Sequence, residues 1–373
     1  MTWMFWGSAL VLLYTYAGYP LWLRLRTWWR PWPVQRGMYE PAISVVMVVR
    51  NEEAAVAGKI RNLLELDYPA DLLQVLVVSD GSTDGTDAIL REQARNPRVH
   101  VVCNQLAQGK ARALNDGIRL ARGEIAVFTD VRQAVERDAV RLLLENFVDQ
   151  EVGAVSGELM LGDPVKGEIH RGVGLYWQAE KLIRKWESQS GSVIGVTGAL
   201  YAVRLNLLTR LPEETILDDV FIPMSVLRQG YRVVFDPRAH AWDRADFGRD
   251  REFARKVRTL SGNYQLVQLA PWLLTKANPV RFEYVSHKLI RLVSPFALAG
   301  MLVASAFLEH PLYRVTFVLQ LAFYLLSALA AARLVRGPIA READAAFTFV
   351  LLNTAAAVAF AHFVTGRKVA WRP

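Results

Sequence analysis

Gln74-Val-Leu-Val-Val-Ser-Asp80-Gly-Ser-Thr-Asp84-Gly-Thr86 reads as a strand, a turn and the start of a helix. The run from Val75 to Val78 is continuously apolar, as expected of a parallel strand covered by helices on both faces. It stops at two turn pairs, Asp80-Gly81 and Asp84-Gly85. Asp84 with Asp87 can cap the helix that begins at Ala88-Ile89-Leu90. Two carboxylates thereby stand at the carboxyl end of a strand, which is the edge where open α/β sheets bind their ligands. Asp80 is read either as a polar contact to a nucleotide or as a residue of a plain capped turn.

The neighbouring segments extend this pattern. Ile43 to Val49 is a second buried-strand run, following Pro41 and ending in Arg50-Asn51-Glu52-Glu53, and a helix pattern follows at Ile60, Leu63, Leu64 and Leu66. Strand, helix and strand in succession imply a right-handed parallel βαβ unit. Val99 to Cys103 is another short strand, and Gln108-Gly109-Lys110 opens a further helix. A lysine at a helix N-terminus behind a glycine is placed to meet a phosphate, because amide donors and the helix dipole reinforce its charge; the alternative is a solvated lysine. Ile125-Ala-Val-Phe-Thr-Asp130 is one more strand ending in an acid, so Glu52, Asp80 and Asp130 occupy three strand ends. Val233 to Asp236 reads as a late strand that Pro237 terminates, with Trp242, Asp243 and Arg244 in a loop beyond it. His100, His170, His240 and His287 show no ligand spacing and are read as structural.

Composition adds a membrane. The chain has 373 residues, 52% of them hydrophobic and 21% charged, with mean hydropathy +0.15. That balance suits a soluble domain joined to membrane segments. Trp3 to Leu23 carries no charge and is long enough to cross about 30 Å of hydrocarbon, so residues 1–23 are expected to form a transmembrane helix. Arg24, Arg26 and Arg30 follow the apolar run rather than precede it, which argues against a signal peptide and puts the next domain, 40–270, in the cytoplasm. Residues 271–291 mix Trp272, Phe282 and Tyr284 with Lys276, Arg281 and Lys288, as an amphipathic segment at the inner leaflet would. Three spans are expected in 292–373: Leu292 to Leu308, Val315 to Leu334, and Ala345 to Val364. Arg367, Lys368 and Arg372 fit an outside C-terminus poorly, so a re-entrant last block is the alternative. The net charge of +8 and pI near 9.6 are explained by an anionic bilayer surface rather than by nucleic acid, for which no binding motif is present. A single cysteine, Cys103, excludes an intramolecular disulfide.

The motifs in order resemble those of an inverting family 2 glycosyltransferase of the membrane-bound cellulose, chitin and hyaluronan synthase type. Val49-Arg-Asn-Glu-Glu53 is similar to the family's first strand end, Asp80-Gly-Ser-Thr-Asp84 to its uridine-binding turn, and Gly109-Lys-Ala-Arg-Ala-Leu-Asn115 to its phosphate-side helix. Phe128-Thr-Asp130 stands where the family has its metal-binding DxD pattern. Thr197-Gly198-Ala-Leu-Tyr201-Ala-Val-Arg204 resembles the acceptor-side segment, Leu217-Asp218-Asp219-Val220 the catalytic acidic pair, and Arg255-Lys-Val-Arg258 the start of the (Q/R)xxRW motif. The resemblance implies a GT-A fold, that is, a Rossmann-like mixed α/β sheet domain with flanking transmembrane helices. It further implies transfer from a UDP-sugar at the inner membrane, with Glu52, Asp80, Lys110, Asp130, Arg255 and Arg258 on the donor side and Gly198 and Tyr201 on the acceptor side.

Sugar transfer requires neutralising a departing diphosphate and deprotonating an attacking hydroxyl. In the family Mg²⁺ or Mn²⁺ bridges the DxD acids and the phosphates. This chain has Asp130-Val131-Arg132, so the implied metal site rests on Asp130 alone, completed by phosphate and water. Arg132 touching phosphate directly is the alternative. Asp219 matches the catalytic base and Asp218 replaces the glutamate before it; adjacent carboxylates can raise one another's pKa. Neighbours on a helix point about 100° apart, so one of the two is expected to face the sugar, unless both only cap the helix. Arg255 and Arg258 share a helix face and can clamp a diphosphate. The tryptophan that follows the second arginine in processive members is Thr259 here, which leaves a growing β-linked polysaccharide and a lipid-linked saccharide both open as acceptor. Tyr176, Trp177 and Trp186 could supply sugar stacking or an interfacial aromatic belt, and the belt is the preferred reading. The reading from a different class is a catalytically silent nucleotide-binding membrane scaffold on the same fold.

Overall fold

The computed structural model describes residues 1–163, 168–169, 175–243 and 249–367. The chain begins with a helical run, α1 (Thr2–Leu13) continuing through a π-turn at Tyr14–Gly18 into α2 (Tyr19–Trp29). The globular part then alternates β1 (Ile43–Val49), α3 (Val56–Leu64), β2 (Leu73–Asp80), α4 (Thr86–Gln93), β3 (Val99–Asn104), α5 (Lys110–Leu120) and β4 (Ile125–Phe128). It continues with β5 (Ala134–Val135), α6 (Ala139–Leu144), β6 (Val152–Asp163), β7 (Glu168–Ile169), α7 (Leu175–Ser190), β8 (Tyr201–Arg204), α8 (Asp218–Arg228) and β9 (Arg232–Asp243). The long α9 (Arg249–Leu269) leads to α10 (Arg281–Tyr284), α11 (Ile290–Phe307), α12 (Pro311–Ala331) and α13 (Ala340–Val364).

The nine strands form one mixed sheet in the order β3-β2-β1-β4-β8-β6-β9-β5, with β7 on β6. β3, β2, β1 and β4 are mutually parallel, whereas β8 runs antiparallel to both β4 and β6. All seven residues of β1 are buried, which is why its run has no polar alternation. Alternate side chains feed two cores. Val45, Met47 and Val49 join Ile60, Leu63 and Val77 on one face, while Val46 and Val48 join Leu114, Phe128 and Val220 on the other. The chain moves outward from β1 to β2 and β3, then returns to place β4 on the other side of β1. The carboxyl ends of β1 and β4 therefore flank the switch point, where an open sheet leaves a crevice for a ligand.

Three helices among the described residues are long and apolar enough to cross a membrane: Arg281–Phe307, Pro311–Ala331 and Ala340–Val364. The expected boundary at residue 291 falls inside the first of these, since α10, a π-turn and α11 are one continuous helix; of its basic residues Arg281 is exposed, and Lys288 and Arg291 are half-buried. Likewise the N-terminal helix does not stop at Leu23 but runs on to Trp29. It lies against α11 and α12: Ser8 Oγ would stand 2.9 Å from a Cβ at Gly300, and the Phe5 and Tyr313 rings meet edge-on at 4.7 Å. Pro237, expected to end its strand, instead sits within β9. The β6 to β9 register slips between Ser156 and Glu158, a bulge at which no ladder N–H is needed from Pro237. Trp242 and Asp243 accordingly lie in β9 rather than in a loop, and Arg244, like His170, Lys368 and Arg372, lies outside the described residues.

Candidate active site

The loops at the ends of β1 and β2 are clasped together. Asn51, with a left-handed φ of 53°, turns its Oδ1 to accept from Thr83 N at 2.7 Å, and Glu53 Oε2 accepts from Gly85 N at 2.7 Å. Asp84 Oδ1 accepts from Thr86 N at 3.0 Å in the turn ahead of α4, the N-cap position itself being Gly85, and Asp87 is turned back to accept from Ser79 Oγ. Asp80 is fully buried and both its oxygens are engaged, accepting from Gln108 N at 2.8 Å and Gly109 N at 2.9 Å. Gly81, at φ +61°, lies so close under Ala107 that a Cβ would come within 2.3 Å of its backbone nitrogen. Asp80 thus fixes the loop that opens α5 and sets where Lys110 stands.

Lys110 is the centre of a carboxylate cluster. Its Nζ donates to Asp130 Oδ1 at 3.1 Å and lies 3.3 Å from Asp218 Oδ2. Burial opposes its charge, but Asp130, Asp218 and Asp219 outweigh that and hold its pKa above the usual lysine range. Asp218 and Asp219 open α8, where unpaired amides favour negative charge. The two point apart: Asp218 is buried toward Lys110, and Asp219 lines a separate cavity. Burial first and Asp218 second push the Asp219 pKa up to about 6. Gly198 lies between the two sides of the site, because a Cβ there would sit 3.8 Å from both Asp130 Oδ2 and Asp219 Oδ2. Tyr201 is a correction. It is 1% exposed and stacked on Phe128 at 4.8 Å, so it supports the carboxylates from inside the core and offers no surface to an acceptor.

On the other side of Asp130, burial raises the pKa of Glu52, with Arg132 opposing that rise and Asp84 and Asp130 adding to it. Arg255 is lowered by burial, with Glu252 and Asp243 opposing and Arg132 and Arg258 adding. The first turns of α9 therefore bring Arg255 into electrostatic reach of both Arg132 and Arg258, and Arg132 in turn acts on Glu52. The cavity beside Asp219 has a volume of about 120 Å³ and is lined by Trp177, Arg184, Thr259, His287 and Lys288 among others. Trp177 is thus a cavity wall rather than part of a belt. Thr259, at the position where a tryptophan follows the paired arginines in processive members, lines the same cavity and leaves it open.

Several participants escaped the sequence reading. Lys59 is buried under the Asp130 loop, donating to Thr129 Oγ1 at 2.9 Å and to the Gln133 carbonyl at 2.5 Å. Its signal was a lysine on the apolar stripe Val56, Ile60, Leu63 of α3. Arg184 donates to Thr197 Oγ1 and Ser156 Oγ, both at 2.6 Å, and pins the segment that carries Gly198. His287 bridges Glu187 and Glu180, at 2.8 Å each, and Arg291 pairs with Glu180 at 2.7 Å. Burial opposes the Glu180 charge, but His287 and Arg291 hold it well below the usual carboxylate range. Arg184, Glu180, Glu187 and His287 line the cavity; no spacing along the chain announced them.

Two family profiles cover this architecture: "Glycosyl transferase family 2" matches residues 44–208, and "Glycosyl transferase family group 2" matches residues 133–361, more than half of the chain. The chain is a family 2 glycosyltransferase. Among curated relatives, this glycosyltransferase is similar to the probable glycosyltransferase YdaM of Bacillus subtilis, 25% identical over 65% of this chain and 60% of that protein. It is also similar to the poly-beta-1,6-N-acetyl-D-glucosamine synthase of Staphylococcus epidermidis, 24% identical over 63% of this chain and 57% of that one. The beta-monoglucosyldiacylglycerol synthase of Nostoc sp. is 31% identical over 48% of this chain and 40% of the relative. The glycosyltransferase thus spans only about half the length of the relatives it matches. Among solved structures, the mannosyltransferase PcManGT from Pyrobaculum calidifontis, in complex with GDP-Man and Mn²⁺, superposes with a TM-score of 0.71 at 24% identity, covering 97% of this chain and 99% of that one. That likeness establishes the GT-A fold.

Proposed function

We propose that this glycosyltransferase moves a sugar, with inversion, from a UDP-sugar to a hydroxyl of a membrane-associated acceptor. The globular domain faces the cytoplasm, and the N-terminal helix and the three C-terminal helices lie in the inner membrane. The observation that carries the reading is Lys110 standing between Asp130 and Asp218, beside an Asp219 whose pKa lies near 6. Asp219 takes the proton of the attacking hydroxyl. Its raised pKa keeps it ionised at neutral pH yet makes it a stronger base than an ordinary aspartate. Lys110, Arg255 and Arg258 bind the diphosphate, Glu52 lies beside them, and Asp80 holds the loop that seats the uridine.

The residues present fit a divalent ion that arrives with the donor. Asp130 is partly exposed, its Oδ2 faces the space left by Gly198, and no group of three or more acids, histidines or cysteines that could hold an ion alone occurs among the described residues. Mg²⁺ or Mn²⁺ commonly takes one or two protein carboxylates plus phosphate oxygens. When bound, it would neutralise the charge that develops on the leaving diphosphate. The presence of Mn²⁺ in the PcManGT complex agrees with this.

A second reading concerns the acceptor. The relatives' names include both a polysaccharide synthase and a glycolipid synthase. The cavity beside Asp219 is small and the Glu180–His287–Glu187 bridge forms part of its wall, which favours a single addition to a lipid-linked acceptor over extrusion of a β-linked polymer. The test uses the purified full chain in detergent with Mg²⁺ or Mn²⁺, offered UDP-Glc, UDP-GlcNAc, UDP-Gal, UDP-GlcA and GDP-Man, with nucleotide release and product length followed. Release from one UDP-sugar, absent in Asp219→Asn although that variant still binds donor, is the expected result. Turnover of GDP-Man alone would overturn the UDP assignment, and turnover of no donor with either ion would return the silent-scaffold reading.

A further inference from the structure

The helix α7 has two working faces. Trp177, Glu180, Arg184 and Glu187 recur at three- and four-residue spacing and line the cavity beside Asp219. Lys185, Trp186 and Gln189 line a second, larger hollow of about 1020 Å³, the opposite wall of which is formed by α2. There Leu21, Arg24, Leu25 and Trp28 again recur at helical spacing, so one stripe of α2 presents apolar side chains with a single cation among them. Leu21, Leu25 and Trp28 are 58%, 45% and 82% exposed, a large apolar surface for a soluble protein to leave open.

The charges in this groove are unbalanced. Arg26, two residues from Arg24 and hence on the other side of the helix, is consumed internally, donating to Ser190 Oγ at 2.9 Å and pairing with Glu283. Arg24 and Lys185 have no acid within ion-pair distance among the described residues. The one acid lining the groove, Asp236, is already neutralised by Arg238 at 2.8 Å and Arg36 at 3.6 Å. The floor is rigid, because Arg232 stacks on the Trp32 ring at 4.2 Å and donates to its carbonyl at 2.8 Å. An occupant must therefore bring an anionic group for Arg24 and Lys185 together with a hydrocarbon chain for Leu21, Leu25 and Trp28.

We propose that this groove binds an anionic glycerophospholipid of the bilayer, its phosphate between Arg24 and Lys185 and an acyl chain along the Leu21–Trp28 stripe. The assignment rests on the membrane placement of the N-terminal helix given above and is independent of the donor. A tryptophan and an arginine at the end of a spanning helix are the side chains that reach headgroup level. Because α7 stands between groove and cavity, the lipid held here is not the sugar acceptor. It fastens the outer face of the helix whose inner face lines the acceptor cavity.

The test is native mass spectrometry of the full chain released from detergent with added phosphatidylglycerol, phosphatidylcholine or inorganic phosphate. Wild type should retain one phosphatidylglycerol in preference to phosphatidylcholine. Arg24→Gln with Lys185→Gln should weaken that retention roughly thirtyfold, from about 1 kcal/mol for each basic side chain. Arg119→Gln with Arg210→Gln removes the same charge from sites 76% and 79% exposed and should retain the lipid like wild type. Unchanged unfolding temperature and nucleotide release in detergent would show that the groove variant is folded. Equal retention by the groove variant, equal loss in the surface variant, equal retention of phosphatidylcholine, or displacement of the lipid by inorganic phosphate would each overturn the proposal. Retention is read without donor, so failure of sugar transfer and failure of lipid binding are separate results.

Discussion

Lys110 Nζ stands 3.1 Å from Asp130 Oδ1, so the first residue of α5 is tied to the loop two residues beyond β4. In the ligand-free protein this ion pair balances part of the charge of Asp130, Asp218 and Asp219. A diphosphate entering the site would take over Lys110 and leave Asp130 free for the ion it carries. Lys110→Met is expected to lower nucleotide release about 100- to 1000-fold, the range for removing one preorganised cation or donor from developing charge. The donor KM should rise as well. A fall of only a few-fold would remove Lys110 from the donor site.

As the proposed base, Asp219 is expected to set the pH dependence of the reaction. Burial and Asp218 raise its pKa from 3.8 to about 6, and only the ionised form can accept the hydroxyl proton. The kcat/KM for the donor is expected to fall about tenfold per pH unit below pH 6. The stability effect has the opposite sign. Between the unfolded pKa and about 6 the folded protein binds more protons than the unfolded chain, so this group favours the fold increasingly as pH drops through that window. Asp219→Asn is expected to lose about 100- to 10,000-fold in rate. Its unfolding temperature at pH 7.5 should match or exceed that of wild type, and a clear drop would point to a structural role instead.

Removing divalent ions should stop transfer. With EDTA, nucleotide release is expected to fall to background and to return with Mg²⁺ or Mn²⁺. Arg132→Asp supplies the second acid of the DxD pattern and should lower the ion concentration needed for half-maximal rate while raising the donor KM, since it deletes a cation from the diphosphate side. Activity that persists in EDTA would mean that Arg132 stands in for the ion.

Lys59 tests the support beneath Asp130. Burial lowers its pKa to about 7, against the pull of the Asp130 charge. A lysine lowered in the fold adds stability as pH rises from about 7 toward its unfolded value, because the unfolded chain holds more protons in that window. Lys59→Met should abolish that rise and raise the ion requirement by loosening the Thr129–Gln133 loop. An unchanged stability profile between pH 7 and 10 would contradict the assignment.

The N-terminal helix and the first of the three long apolar C-terminal helices are fastened to the globular domain through Glu187. Tyr19 OH donates to its Oε1 at 2.7 Å and His287 Nδ1 meets the same oxygen at 2.8 Å, joining α2, α7 and the first C-terminal membrane helix. Tyr19→Phe is expected to cost about 1–3 kcal/mol of stability and Glu187→Ala about 3–5 kcal/mol, because each strands a buried polar partner. Thermal unfolding in detergent measures both. A larger loss for Tyr19→Phe than for Glu187→Ala would refute this ordering.

The sequence by itself determined the parallel half of the sheet and the acids at its edge. A buried strand shows as an unbroken apolar run, and Asp-Gly pairs or a glycine before Lys110 mark its end within a few residues. Such local chemistry sufficed to place Glu52, Asp80 and Asp130 at or just past strand ends and Lys110 at a helix start, and to separate Asp218 from Asp219 on their helix, while the family resemblance singled out Thr259. What only the tertiary structure decided depends on contacts between distant segments. Packing β8 beside β4 carries Gly198 to Asp130 and puts Tyr201 in the core, although both belong to the same short motif. Burial turns Lys59 and His287, two side chains without any motif, into the support of the Asp130 loop and a bridge in the wall of the cavity beside Asp219. Pairing of β9 with β6 carries its strand past Pro237, and the continuous helix from Arg281 to Phe307 erases the boundary at residue 291. The physical reason is common to all of these: an ion pair or a core position exists only after the sheet order has brought two segments together, and no residue's neighbours along the chain encode that meeting.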